Sequence, residues 1–274
     1  MVNNWRSGGG AAMVVRRVRE HVAAHNWFAV LVDVGIVVLG VFLGTQVSNW
    51  NDERIQQRKA ADYRTRLIAE LDFDARQYAL QSAYYRQAKD YGLQALADLD
   101  GTKRLSDRDF VIAAYQLTQT DTTRAKTGVF EEMTANGLTD HLGDAETQDL
   151  ASDFYLTVEV TQRVMESILP YRTLLREVMP YKTQLAVRSE CGDRNVHYRG
   201  RLVGIRLVVP CPLQIDPGVA TEAARIVRSM PDIRRQMTRY IASMDEKLDN
   251  LEVAQQQAEA FRSRLIAAER ASTP

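Results

Sequence analysis

Apolar residues follow two patterns along this chain. Between Trp27 and Trp50 they are almost unbroken, and of the 22 residues in between only Asp33 is charged. At about 1.5 Å rise per residue a helix through them covers roughly 33 Å, against a hydrocarbon core of roughly 30 Å. Beyond Asn51 the pattern becomes periodic. Leu67, Leu71, Tyr78, Tyr85 and Leu96 fall near one face of a helix that continues the apolar stretch, with no Pro and only Gly92 as Gly before Leu99. Asp100-Gly101 ends it, and Ser106 is placed to cap the next helix, DRDFVIAAYQL.

The segment Ala145 to Val187 reads as one or two further helices, because Pro170 and Pro180 must kink or interrupt it. Asp216-Pro217 opens a short helix, and a longer one begins near Pro231. That last helix carries Met237, Ile241, Met244, Leu248, Leu251 and Ala258 at alternating spacings of 4 and 3, interrupted by Gln255 and Arg262. The stripe fits bundle core better than a dimeric coiled coil. Long first and last helices with shorter ones between predict an all-α chain: an N-terminal transmembrane helix continuing into an elongated antiparallel helical bundle.

One segment departs from helix. Cys191 and Cys211, the only cysteines, flank NVHYRGRLVGIRLVVP, where β-branched and aromatic residues around glycines predict a short hairpin at about residues 191–211. A disulfide would close it and add ~3 kcal/mol. Two unpaired thiols are the alternative; a zinc site on Cys191, His197 and Cys211 lacks a fourth ligand and a close Cys pair.

Location follows from the apolar run. Trp27 and Trp50 bracket it where amphipathic rings prefer the headgroup level, making both membrane-interface anchors. A cleaved signal peptide is the rival, since Arg16, Arg17 and Arg19 precede the run. But the run is long for a signal, and no small-x-small cleavage site follows it. Basic residues are balanced across the span, with Arg6, Arg16, Arg17 and Arg19 before and Arg54, Arg58, Lys59, Arg64 and Arg66 after. The cysteines break the tie, because disulfides persist outside the cytoplasm. The expected organisation is a cytoplasmic tail over residues 1–26, a single transmembrane helix over 27–50 and a periplasmic helical bundle over 51–274. The expected location is the bacterial inner membrane.

At ~100° per helical residue, Asp33, Gly40, Gly44 and Asn51 lie within about 20° of one line. Small residues allow two membrane helices to approach closely, and polar groups on the same seam can bond across it. A parallel homodimer seam is one reading of this stripe. The other has Asp33, close to Trp27, reaching the headgroups on its own.

Composition narrows the function. With 35 basic against 35 acidic residues the net charge is zero, so nothing draws the chain to nucleic acid. The balance conceals an asymmetry: Asp98 to Glu166 holds 14 acidic and 6 basic residues, Arg172 to Arg239 holds 6 acidic and 13 basic. The two segments are expected to pack on each other; a basic face for an acidic partner or lipid is the sharper reading. No phosphate loop, HExxH or GxSxG occurs, and no cofactor is called for. His141 with Asp140 and Asp144 reads as a turn and helix cap before a metal site.

The order Asp33, Gly40, Gln46, Val47, Asn49, Trp50, Asn51, Asp52 resembles a large bacterial family of single-span membrane proteins built around a domain of unknown function. Phe130 to Tyr155 is similar to that family's short helix, Gly turn and aromatic-ended helix, and Met230 to Phe261 to its last long helix. The cysteine hairpin departs from the pattern. The resemblance implies a membrane location and a helical soluble part, with no activity. The expected role is a non-enzymatic interaction or scaffolding module that self-associates through its membrane helix. The bilayer, a second copy and an envelope protein are its candidate partners. A periplasmic sensory bundle signalling through a partner is the alternative.

Overall fold

The computed structural model describes residues 27–272, so the expected cytoplasmic tail lies outside the described residues. The chain divides into two compact units, Met1–Lys59 and Ala60–Pro274. Helix α1 runs from Trp27 to Leu99. In the first unit its apolar stretch has a mean hydropathy of 1.9, long and apolar enough to cross a membrane, and 0% of that window is buried. A core helix of a soluble protein would be covered. Trp27 and Trp50 are exposed at its ends, and the Arg54 guanidinium lies 4.8 Å from the Trp50 ring centre.

The second unit is a helical bundle with one hairpin. Its first buried position is Ala60, and the α1 stripe then buries Leu67, Leu71, Tyr78 and Tyr85, with Leu96 partly buried against the same core. Helix α2, Asp107–Leu117, starts where expected: the Ser106 hydroxyl oxygen accepts from the Asp109 N–H at 3.1 Å. Helix α3 spans Gly128–Ala135, and a short 3-10 turn covers Thr139–His141. The expected one or two helices of the next segment are three: α4 Ala145–Glu166, α5 Pro170–Val178 and α6 Tyr181–Cys191. Proline has no N–H for the carbonyl four residues back. Pro170 therefore sits in the first turn of a new helix and Pro180 immediately before another. Helix α7 is Pro217–Arg228, capped by Asp216, and α8 is Ile233–Ser272.

Helix α8 runs antiparallel to both α1 and α4. Arg262 pairs with Asp72 at 3.5 Å while Asp245 pairs with Lys89; Phe261 meets Phe154, ring centres 6.2 Å apart. Further along, the Lys247 ammonium donates to the carbonyls of Met165 at 2.8 Å and Ser167 at 3.1 Å, closing the C-terminal end of α4. Burial pushes its pKa down to about 8. The α8 seam is bundle core, with Met237, Met244, Leu251 and Ala258 buried and Leu248 packed against them. Gly92 lets neighbours close to α1: a Cβ there would lie 2.5 Å from Leu117 and 3.0 Å from Ile241.

The acidic and basic segments do meet. Arg228 on α7 pairs with Asp98 at 2.9 Å and with Asp107 at 2.5 Å, and Arg234 pairs with Asp100. The Asp98 carboxylate is fully covered and also accepts from the Leu105 N–H at 2.9 Å.

The hairpin is present. Strand β1, Arg194–Tyr198, pairs antiparallel with β2, Arg201–Arg206, through the two-residue turn Arg199-Gly200. Both turn residues have positive φ, 50° and 75°, the geometry whose twist suits a two-residue hairpin loop. A bulge opposite Val196 and His197 leaves Val203 and Gly204 both buried. Cys191 and Cys211 are disulfide-bonded with Cα atoms 5.1 Å apart across 20 residues, which removes both the free-thiol and the zinc alternatives. Replacing both cysteines by Ala should lower stability by about 3 kcal/mol in urea unfolding, and reductant should produce the same loss in the unaltered protein.

Candidate functional site

The residues singled out in the apolar stretch lie on one face of α1 and stay apart from other elements. Asp33, Gly40, Gly44 and Asn51 are exposed, and a Cβ built at Gly40 or Gly44 meets nothing within 4 Å. Asp144 caps α4 by accepting from the Thr147 N–H at 3.1 Å and is also paired with Arg264, which accounts for it as a turn residue. Among the described residues no His, Cys, Asp and Glu cluster is arranged for a metal ion.

Within the bundle, sequence reasoning missed a cleft of about 320 Å³ between α1, the segment leading into α3, and the hairpin turn. Two acids on α1 shape it, of which Glu70 lines the cleft and Asp74 does not. Asp74 is fully buried, and one of its oxygens accepts from the Lys126 N–H at 3.0 Å. Glu70, one turn earlier, accepts from the Val129 N–H at 3.4 Å. Together they hold the Lys126–Val129 backbone along α1. That placement sets the Lys126 ammonium 3.2 Å from the centre of the Phe73 ring. The Arg201 guanidinium approaches the same ring at 5.5 Å. Tyr198 donates its hydroxyl to Asp72 at 3.0 Å, tying the hairpin to α1, and its ring carries Arg76 at 4.2 Å and Arg199 at 5.1 Å.

The charges in this cleft are unevenly compensated. Arg66 at the rim pairs with Glu132 at 2.6 Å and with Asp62, and Arg76 pairs with Asp72 at 3.4 Å. Among the described residues no carboxylate lies within 4.0 Å of the Lys126, Arg199 or Arg201 cation. Burial, then repulsion from Arg201, pulls the Lys126 pKa down. On the acidic side, burial raises Glu70, opposed by the Val129 N–H and by Lys126. It pushes Asp74 up to about 7, again against a backbone hydrogen bond, from Lys126. One oxygen of each acid, Glu70 Oε1 and Asp74 Oδ2, is buried with no hydrogen-bond partner, as is the Tyr155 hydroxyl. Enclosure of this kind disfavours the charged form of a carboxyl.

A signal for Asp74 existed in the sequence: it stands three residues after Leu71 and four before Tyr78, on the apolar stripe. An acid on a core stripe is a buried acid. Nothing comparable marked Lys126, whose place depends on a backbone that Asp74 and Glu70 pull in.

Asp74 makes stability depend on pH. Its folded pKa of about 7 lies above the ordinary 3.8, so the folded chain keeps a proton that the unfolded chain has released. Its contribution is fully present below pH 3.8 and declines until pH reaches about 7. Asp74→Asn keeps an oxygen for the Lys126 N–H and removes the proton. Between pH 5 and pH 8 the variant should lose about 2–3 kcal/mol less than the unaltered protein in urea unfolding, and parallel losses would refute the assignment.

Comparison with protein-family models, curated proteins and solved structures finds no match to this chain.

Proposed function

We propose that this chain is a single-span protein of the bacterial inner membrane, with its N-terminus in the cytoplasm and its helical bundle displayed in the periplasm. Its role is that of a non-enzymatic interaction or scaffolding module. The carrying observation is the apolar stretch of α1, of which no residue in the hydropathy window is buried by the protein. Apolar side chains left uncovered are costly in water and stable in hydrocarbon. The Cys191–Cys211 disulfide supports the orientation, since such bonds persist in oxidising compartments. The family resemblance of the Asn49-Trp50-Asn51 region agrees with a membrane location. Alkaline phosphatase fused after Pro274 should be active in intact cells and green fluorescent protein at the same position dark; the reverse would place the bundle in the cytoplasm.

Self-association through the Asp33, Gly40, Gly44, Asn51 stripe is part of this proposal. Its support is the open space at both glycines, where a second helix could approach closely. A cysteine at Gly44 should crosslink in membranes well above one at Phe42, which lies off the stripe; equal yields would remove the seam. The second reading, a sensory bundle that signals through a partner, is favoured by the cationic cleft.

A further inference from the structure

We propose that the cleft formed by α1, the Lys126–Val129 segment and the hairpin turn binds a small phosphorylated ligand, whose phosphate is held jointly by Lys126, Arg199 and Arg201. Three observations carry this. First, among the described residues no carboxylate lies within 4.0 Å of any of the three cations, although Glu70 also lines the cleft, while the neighbouring Arg66, Arg76 and Arg262 are each matched to a carboxylate. Two of the unmatched cations face one ring, Phe73, which can hold them in place and cannot neutralise them.

Second, Arg199 has a φ of 50°. Gly, Asn or Asp occupies that turn position at lower cost, so an arginine there spends backbone energy to place a guanidinium. Third, hydrogen bonds anchor the scaffold that carries the cations. Asp74 and Glu70 fix the Lys126 backbone, and the Tyr198–Asp72 hydrogen bond fixes the turn. The cleft's 320 Å³ falls at the small end of ligand sites, roughly 300–1,000 Å³, which favours one compact anion over a polymer. Two guanidinium forks and an ammonium suit a phosphate's three outer oxygens.

The same chemistry exists on a free metabolite and on a lipid headgroup, and sn-glycerol 3-phosphate represents both. The test is calorimetric titration of the full chain in phosphatidylcholine nanodiscs. Saturable binding is expected, weakened about tenfold or more in Arg201→Gln and in Lys126→Gln and unchanged in Arg225→Gln, whose guanidinium pairs with Glu222 on α7. Repeating the titration in discs containing phosphatidylglycerol separates the sources. Loss of the heat identifies a lipid headgroup as occupant, and an unchanged heat identifies a soluble ligand. Absence of saturable heat in the phosphatidylcholine discs overturns the proposal. Equal affinities for Arg201→Gln and Arg225→Gln, with circular dichroism showing both folded, overturn it as well.

Discussion

Apolar surface has to leave water, and α1 meets that demand differently in its two parts. From Ala60 onward one stripe carries the apolar side chains, and α2 and α8 cover it; each large side chain so buried contributes about 1.5–3 kcal/mol. In the first unit apolar residues take up most of the helix circumference, and no other part of the described chain covers them. The polar residues on each part inherit that difference. Asp74 lies among packed side chains, which disfavour its charged form, whereas Asp33 stands on an open face.

The bundle buries polar groups as well, and these decide which loops lie where. Tyr85 donates to the Asp121 carbonyl at 2.8 Å and accepts from the Asp121 N–H at 3.1 Å. Tyr171 donates to the Ala114 carbonyl at 2.9 Å, and Gln116 to the Cys191 carbonyl at 2.7 Å. Unpaired, such groups cost about 1–3 kcal/mol each in the interior. The cleft follows the same logic: Asp74 and Glu70 satisfy the backbone of the Lys126–Val129 segment, and this brings a lysine to Phe73. The disulfide and the Tyr198–Asp72 bond then set the hairpin's arginines opposite it.

Much of the architecture was legible because its signals are local. Ser106, Asp144 and Asp216 each cap the helix that follows, since a short polar side chain bonds the free N–H groups of a first turn. Both prolines act as helix breaks for an equally local reason. Fewer helices are expected over Ala145 to Val187 than occur because a proline can kink a helix, whereas each of these two stands at the start of a new one. The hairpin was read from its composition, but the Arg199-Gly200 turn and the bulge were not, because register depends on what β2 packs against. Gly204 lies 3.6 Å from Leu80 once a Cβ is imagined on it, a contact across 124 positions.

The sequence by itself determined the elements: one long unbroken apolar helix, amphipathic helices with their caps and stops, and a hairpin between two cysteines. Periodicity, capping and chain-breaking act over a few residues, so they are written where they operate. Only the tertiary structure decided which charges end up matched. Arg228 finds Asp98 across 130 positions, while Lys126, Arg199 and Arg201 form no ion pair within 4.0 Å among the described residues and share a cleft instead. The energy of a charge depends on its distance from every other charge and from water, and those distances exist only after the chain has packed.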